Sequence, residues 1–331
     1  MFAALNAFQV GGKLALVSDV FSTSLYTGTQ ATQIITNGID LSTKGGLVWL
    51  KWRSGTNAFG HALYDTVRGS TQQLVSNSAI AQTTHNRISL FNNNGFTLTN
   101  DTETNYLNDN YVSWTFRKQP LFFDIVTYTG NGTTQNIAHS LGSVPGCIIV
   151  KRTDGNADWQ VYHRSLANTQ FLLLNQADGV ATGTYWNNTT PTSSVFSVGS
   201  DSAVNASGGA YVAYIFAHNA GGFGTGADNA ISCGSYAGSS SDININLGYQ
   251  VQWVMVKNTT TSGNRQILDA VRGMPSTGSV LTLAPNLSNA DNSLTAPIIV
   301  PTATGMTITG SVGAAINSAG NNYIYVAIKA S

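Results

Sequence analysis

Two aspartates, each followed three positions later by an arginine, have the residue types and spacing that could do chemistry. Asp65 precedes Arg68, and Asp269 precedes Arg272, at equivalent places in two similar boxes. Such side chains could act as a paired acid and base, or they could form an ion pair within one unit that pins a loop. We favour the structural ion pair, although a third box carries His163 in place of the aspartate. The sequence disfavours catalysis without excluding it.

No other set of side chains has the spacing of a known catalytic or metal site. The histidines form neither an HxH nor an HExxH pattern, and the chain has no GxSxG elbow, P-loop or GxGxxG after a strand. We therefore predict no catalytic, metal-binding or cofactor-binding residues, no cofactor, and a protein that is not an enzyme. The five histidines are His61, His85, His139, His163 and His218.

The two cysteines, Cys147 and Cys233, stand far apart and have no CxxC spacing. They do not indicate a disulfide framework or a zinc site. We expect them to be small buried apolar side chains, and a single bridge between them stays open.

Aromatic rings beside asparagine and threonine are typical of a glycan-binding surface when they are exposed. Aromatic faces stack on the apolar faces of sugars, and amides bond the hydroxyls. The alternative is a tryptophan in the core or at an interface, which is the commoner case. The candidate glycan contacts are Trp159, Tyr185, Trp186 and Asn187.

The elements that must position these residues come from three copies of one unit. Each copy opens on Tyr-Thr-Gly or a variant of it, continues with an apolar run that ends in lysine, and closes with an asparagine six residues before an apolar strand that begins with tyrosine. These anchors recur in the same order, which predicts a threefold tandem duplication. The opening tyrosines are Tyr26, Tyr128 and Tyr236, the lysines are Lys51, Lys151 and Lys257, and the closing asparagines are Asn105, Asn205 and Asn317.

The local patterns within each copy predict strands. The chain has 331 residues, of which 42% are apolar and 34 are glycine, and short β-branched or aromatic runs alternate with turn residues. We predict an all-β protein of three tandem antiparallel β-sandwich or jelly-roll-like repeats. Their bounds are 24–119, 120–228 with a glycine-rich linker at its end, and 229–331, after an N-terminal docking arm at 1–23.

The charge balance restricts the partners. Lys+Arg and Asp+Glu are both 15, the net charge is zero and only 9% of residues are charged. A nucleic-acid partner needs a basic surface, so we expect none. The apolar arm lacks the basic start of a signal peptide and is interrupted by polar residues, so we expect no membrane insertion. We expect the arm to dock either within this chain or on a neighbour.

The repeat anchors resemble a β-rich module of bacteriophage tail-fibre and virion structural proteins, including those of cyanophages and other marine phages. The likeness is carried by Tyr128 to Gly132, by the two Asp-x-x-Arg-Gly boxes at Asp65 and Asp269, and by Asn205 to Tyr214, and it covers residues 24 to 331. The resemblance implies a structural role in the virion and transfers no catalytic residues.

These observations lead to two expectations of function. The first is a non-enzymatic phage structural protein on the particle surface, in a tail fibre, at the baseplate or as capsid decoration, joined to other virion proteins through its arm and assembled as a homotrimer. In that case, a chain lacking 1–23 is expected to fold but not to join particles. The alternative is a lectin-like adhesin that binds host-surface polysaccharide. A depolymerase is disfavoured, because paired carboxylates are scarce.

Overall fold

A computed structural model of the protein describes residues 14–56, 58–274, 278–310 and 316–331. Within these ranges nearly all regular structure is antiparallel β-strand. The helical elements there are a single 3-10 turn at Val17–Asp19 and the short helix α1 at Ser202–Asn205. The β-branched and aromatic runs separated by Gly- and Asn-rich turns explain this outcome. The predicted all-β antiparallel class is confirmed.

The strands form three consecutive sets, which we name the first, second and third set. The first set comprises β1 (Phe21–Thr27), β2 (Gln33–Thr36), β3 (Gly46–Ser54), β4 (His61–Asp65), β5 (Gly69–Leu74), β6 (Thr83–Thr84), β7 (Ile88–Asn92), β8 (Gly95–Leu98) and β9 (Asn110–Arg117). The second comprises β10 (Phe123–Thr129), β11 (Gln135–Ala138), β12 (Cys147–Arg152), β13 (Gln160–His163), β14 (Gln170–Leu173), β15 (Ala181–Thr182), β16 (Val195–Val198) and β17 (Ala210–Phe216). The third comprises β18 (Ile231–Ala237), β19 (Ile243–Asn246), β20 (Val251–Asn258), β21 (Gln266–Asp269), β22 (Val280–Thr282), β23 (Asn292–Leu294), β24 (Ile299–Thr302), β25 (Gly305–Ile308) and β26 (Asn322–Lys329).

The same pairing order occurs in the main sheet of each set. The orders begin β1-β9-β3-β4, β10-β17-β12-β13 and β18-β26-β20-β21. The closing strands β9, β17 and β26 are therefore paired on both sides, as their apolar sequences predict. A smaller sheet pairs β2 with β8, β11 with β16 and β19 with β25. The division of the chain at the repeat bounds given above stays a prediction.

The opening and closing motifs of each set meet in one cluster. In the first set the rings of Tyr26 and Tyr111 stack with centroids 5.0 Å apart. The buried side chain of Asn105 accepts one backbone N–H and donates to two backbone carbonyls. A Cβ on Gly28 would lie 2.0 Å from the carbonyl oxygen of Tyr106, so only glycine fits there. The same arrangement occurs at Tyr128, Tyr211, Asn205 and Gly130, and at Tyr236, Tyr323, Asn317 and Gly238.

One hydrophobic core joins the main sheets of all three sets. At its centre the ring of Phe116 lies 5.7 Å from that of Phe216 and 5.9 Å from that of Trp253, so the first set touches both of the others. Phe122 and Phe123, which lead from the first set into the second, are fully buried in the same core. The three main sheets thus pack against one another, and the boundaries between them are interior surfaces.

The predicted docking arm at 1–23 is only partly described, since residues 1–13 lie outside the described residues. The remainder belongs to the folded chain. Val17 and Val20 are buried in the common core, and β1 begins at Phe21, which is also buried. Deleting 1–23 would remove these core side chains, and we therefore revise the expected folded fragment to a chain that lacks only 1–13.

The glycine-rich linker after the second set forms a compact turn. Phe223 is 1% exposed in the common core, and its ring lies 6.2 Å from that of Phe122. Gly222 and Gly226 have φ of +84° and +96°, and the N–H of Gly222 donates to the carbonyl of Gly226. Residues without a side chain are needed at these φ values, which explains the composition of the segment.

Candidate functional site at the junctions between strand sets

The predicted Asp65–Arg68 ion pair is present, and it holds a side chain of the next set. Asp65 is fully buried at the end of β4, and its Oδ2 lies 2.6 Å from Nε of Arg68. Oδ1 also accepts the backbone N–H of Arg68 at 2.9 Å, so the pair pins its own loop as expected. In addition, the hydroxyl of Tyr214 donates to Asp65 Oδ2 at 2.8 Å and accepts from Arg68 Nη2 at 3.1 Å. The pair therefore closes a junction between the first and second sets.

The Asp269–Arg272 pair makes the corresponding junction between the third and first sets. Asp269 Oδ2 lies 2.7 Å from Arg272 Nε, and both side chains are fully buried. The indole N–H of Trp114 donates to Asp269 Oδ2 at 3.0 Å, and the guanidinium of Arg272 lies 5.3 Å from the centroid of the Trp114 ring. Trp114 and Tyr214 occupy the same place in their closing strands, three residues after the first tyrosine.

The second set uses a different group for the junction with the third. His163 is 1% exposed, and its Nε2 lies 3.1 Å from the carbonyl oxygen of Tyr325. Its Nδ1 accepts the N–H of Ser165, so Nε2 carries the proton that reaches the carbonyl. Burial lowers the pKa of His163 to about 3. No arginine follows at the third position, where Leu166 stands, and Arg164 is exposed.

The three lysines that end the apolar strands also cross these junctions, a role that the sequence did not indicate. All three are buried, and each Nζ donates to a backbone carbonyl of the preceding set in the cyclic order. Burial lowers the pKa of Lys51 and Lys257 to about 7 and that of Lys151 to about 8. The three bonds are Lys51 to Ser288 at 3.0 Å, Lys151 to Ala79 at 3.1 Å and Lys257 to Ala177 at 2.9 Å.

A third group of contacts comes from the residues at or just before the start of the fourth strand of each set. Nε2 of His61 lies 2.9 Å from the carbonyl oxygen of Ala284, and Nη2 of Arg265 donates to Leu173 at 3.2 Å. The indole of Trp159 donates to the carbonyls of both Val75 and Ser78 at 3.1 Å. The contacts of Asp65, Asp269 and His163 form one group, those of the three lysines a second, and those just described a third. Each group joins the first set to the second, the second to the third and the third back to the first. The sets therefore close into a ring within one chain.

Clefts open to the surface at two of these junctions. One lies between the first and second sets and encloses about 450 Å³ beside Arg68. The other lies between the second and third sets, beside Leu166, and encloses about 730 Å³. At the third junction Asp291 binds both Arg272 and Arg53, at 2.9 and 2.7 Å, and ties the two sets together.

Both tryptophans among the candidate glycan contacts are buried. Trp159 is 0% exposed at the first–second junction, and Trp186 is 1% exposed with its ring 5.7 Å from that of Tyr162. The favoured interpretation, a tryptophan in the core or at an interface, is therefore correct for both, and stacking of sugars on these two indoles is ruled out because neither presents a face to solvent. Tyr185 is half-buried against Phe171. The side-chain amide of Asn187, also half-buried, donates to Ser197 at 3.1 Å.

The described residues contain no group of three or more His, Cys, Asp or Glu side chains placed to hold a metal ion. Cys147 and Cys233 are both free and buried. Burial raises the pKa of the Cys147 thiol to about 12, and that of Cys233 is raised as well, which keeps both thiols protonated and unreactive. Among the described residues, no helix has the length and apolar character needed to cross a membrane.

The fold and these junctions define an all-β protein whose buried polar groups join antiparallel sheets to one another. The chain belongs to the family described as a domain of unknown function, DUF7483, whose match covers residues 17–331. The match therefore runs through all three sets and includes the buried segment that precedes β1. No curated protein matches this chain.

Proposed function

We propose that this protein is a non-enzymatic structural component of a bacteriophage particle, displayed on the particle surface in a tail fibre, at the baseplate or as capsid decoration. The resemblance of the repeat anchors to phage virion modules supports the phage setting. The observation that carries the structural role is the ring of junctions. In it the buried aspartates and arginines, which are the side chains best suited to chemistry, form hydrogen bonds that join one strand set to another.

The hydrogen bonds that Asp65 and Asp269 already make support a structural role over a catalytic one. Asp65 and Asp269 each hold an arginine of their own set and a ring of the next set. Each pair is buried, so a substrate would have to displace a protein partner to reach the carboxylate. In these two pairs each guanidinium nitrogen of Arg68 and Arg272 has a hydrogen-bond partner. Polar networks satisfied in this way make the packing of the sheets specific, which suits a component that must keep its shape on a particle surface.

The proposed partners are other virion proteins, contacted through the N-terminal residues, and further copies of the chain in a homotrimer. Val17, Val20 and Phe21 of the arm are buried in the common core, so we assign the attachment to residues 1–13. Native mass spectrometry of the purified chain tests the trimer. A mass of three chains is expected, and a monomer at all concentrations would contradict it.

The test of the virion role compares two tagged chains produced during infection by the phage. One is the full chain, and the other lacks residues 1–13 but keeps the segment from Val17 onward that is buried in the core. The full chain is expected to co-purify with particles. The shortened chain is expected to have the same melting temperature and to stay in the soluble fraction.

Absence of the full chain from purified particles would contradict the virion role itself. Equal incorporation of both chains would contradict only the assignment of attachment to residues 1–13. Melting temperatures of the two purified chains serve as the control. A lower melting temperature for the shortened chain would mean that its failure to join particles comes from misfolding.

A further inference from the structure

The cleft between the second and third sets is larger than its counterpart and has Leu166 at the position of Arg68. In the first–second cleft two lining residues of the first set, Arg68 and Gln82, are joined by a hydrogen bond of 2.8 Å. At the equivalent positions in the second–third cleft stand Leu166 and Val180, whose apolar side chains form no such bond. The volume rises from about 450 to about 730 Å³, within the range of roughly 300–1,000 Å³ that is common for small-molecule sites.

The lining of this cleft is uncharged. None of its twelve lining residues is Asp, Glu, Lys, Arg or His. Its polar members carry hydroxyls and amides, and within the described part of the chain the side chains of Ser165, Ser235 and Asn322 make no hydrogen bond. Leu166 and Val180 add an apolar wall. Free neutral donors and acceptors beside an apolar surface can bind a ligand that has both hydroxyls and C–H faces.

The charge of the lining selects the class of ligand. An ion that enters the cleft would lose hydration without meeting an opposite charge, which is unfavourable, whereas a neutral hydroxylated molecule exchanges bonds with water for bonds with serine and amide groups. We propose that the second–third cleft is a binding site for an uncharged saccharide. The site does not depend on the virion role, and a failure of either leaves the other intact.

The experiment titrates the folded full-length chain with saccharides and follows binding by saturation-transfer NMR. The neutral probes are glucose, galactose, mannose, N-acetylglucosamine and their disaccharides, and glucuronate is the acidic comparator. Binding of at least one neutral probe is expected, with a Kd of about 1 mM or below, as for a small open site.

Two matched variants locate the binding. Ser165→Trp places an indole in the second–third cleft at an exposed position. Val67→Trp makes the same change at the equivalent exposed position of the first–second cleft. Ser165→Trp is expected to weaken binding about tenfold or more, equal to roughly 1.4 kcal/mol, and Val67→Trp is expected to leave it within about twofold.

The binding measurements on the two variants either support the site or contradict it. Weakening by Ser165→Trp alone supports the site, provided that both variants melt at the temperature of the unchanged protein. Absence of binding by every neutral probe, equal effects of the two variants, or binding of glucuronate in preference to the neutral probes would each overturn the proposal. Leu166→Arg provides an independent check, since rebuilding the arginine of the first–second cleft should reduce binding as well.

Discussion

The first–second and second–third junctions each hold one main sheet against the next, but they use different side chains to do so. At the first–second junction an ion pair, Asp65 with Arg68, holds the hydroxyl of Tyr214 through two hydrogen bonds. At the second–third junction the neutral imidazole of His163 bonds the carbonyl of Tyr325 alone. The first arrangement relies on buried charge and on a partner side chain, whereas the second relies on a buried neutral group and on the partner's backbone.

This difference has three physical consequences. A buried ion pair is strongly destabilised when one partner is removed, because the other charge is left without compensation. A buried neutral histidine instead makes the junction sensitive to acid. The second–third junction, where Leu166 stands in place of the arginine, also has the larger cleft. The divergent junction therefore has a histidine where the first–second junction has an ion pair, and it has the larger cleft.

The largest effect is expected from Asp65→Ala. Arg68 would keep only neutral partners in a setting where its side chain is 4% exposed, and we expect a loss of about 3–5 kcal/mol in the free energy of unfolding. Asp269→Ala is expected to cost less, since Arg272 keeps an ion pair with Asp291. Urea unfolding of both variants measures the difference. An equal or smaller loss for Asp65→Ala would contradict the proposed role of the ion pair.

The next effect concerns the partner residue across each junction. Tyr214→Phe removes a hydroxyl that bonds both members of the ion pair, and it should cost about 1.5–3 kcal/mol. Tyr325→Phe is the matched control, because only the backbone carbonyl of Tyr325 takes part in its junction. The control should stay within about 0.5 kcal/mol of the unchanged protein. Similar losses for both variants in denaturant titrations would show that the two junctions do not differ as described.

A smaller effect is expected from acid, and at the second–third junction it comes from His163. Burial lowers the pKa of folded His163 to about 3, against 6.5 for a free histidine. Between these values the unfolded chain binds the proton and the folded chain does not, so stability falls as pH decreases from about 6.5. At pH 5 the contribution of His163 amounts to a loss of about 2 kcal/mol.

His163→Gln separates this contribution from that of the other histidines. Glutamine can still donate to the carbonyl of Tyr325 but does not titrate. Unfolding free energies measured from pH 7 to pH 5 should therefore decline less steeply in the variant than in the unchanged protein. Parallel declines would mean that the acid sensitivity comes from other groups.

Much of the fold was predictable because its signals are local. The apolar closing strands, the turn residues and the Asp-x-x-Arg boxes are read within a few positions, and both ion pairs are present in the structure. The groups that the pairs hold were not predictable, since Tyr214 lies 149 residues from Asp65 and Trp114 lies 155 from Asp269. Contacts of that separation depend on how whole sheets pack.

The same reasoning explains why the surroundings of individual side chains were not predictable. The sequence around Trp159 allowed either a buried or an exposed ring, and the ring is buried, with its indole bonded to carbonyls of the first set. Lys151 ends an apolar run, and a loop of the first set brings the carbonyl of Ala79 to its buried ammonium group. In both cases the burial is decided by another strand set, which the surrounding sequence does not describe.

The central claim is that the junctions make the three strand sets one cooperative body. Differential scanning calorimetry tests it most directly by comparing the calorimetric enthalpy of unfolding with the van't Hoff enthalpy. The account predicts a single transition with a ratio of about 1, displaced as a whole to lower temperature by Asp65→Ala. Separate transitions, or a ratio of about 3 as expected for three independent units, would contradict it.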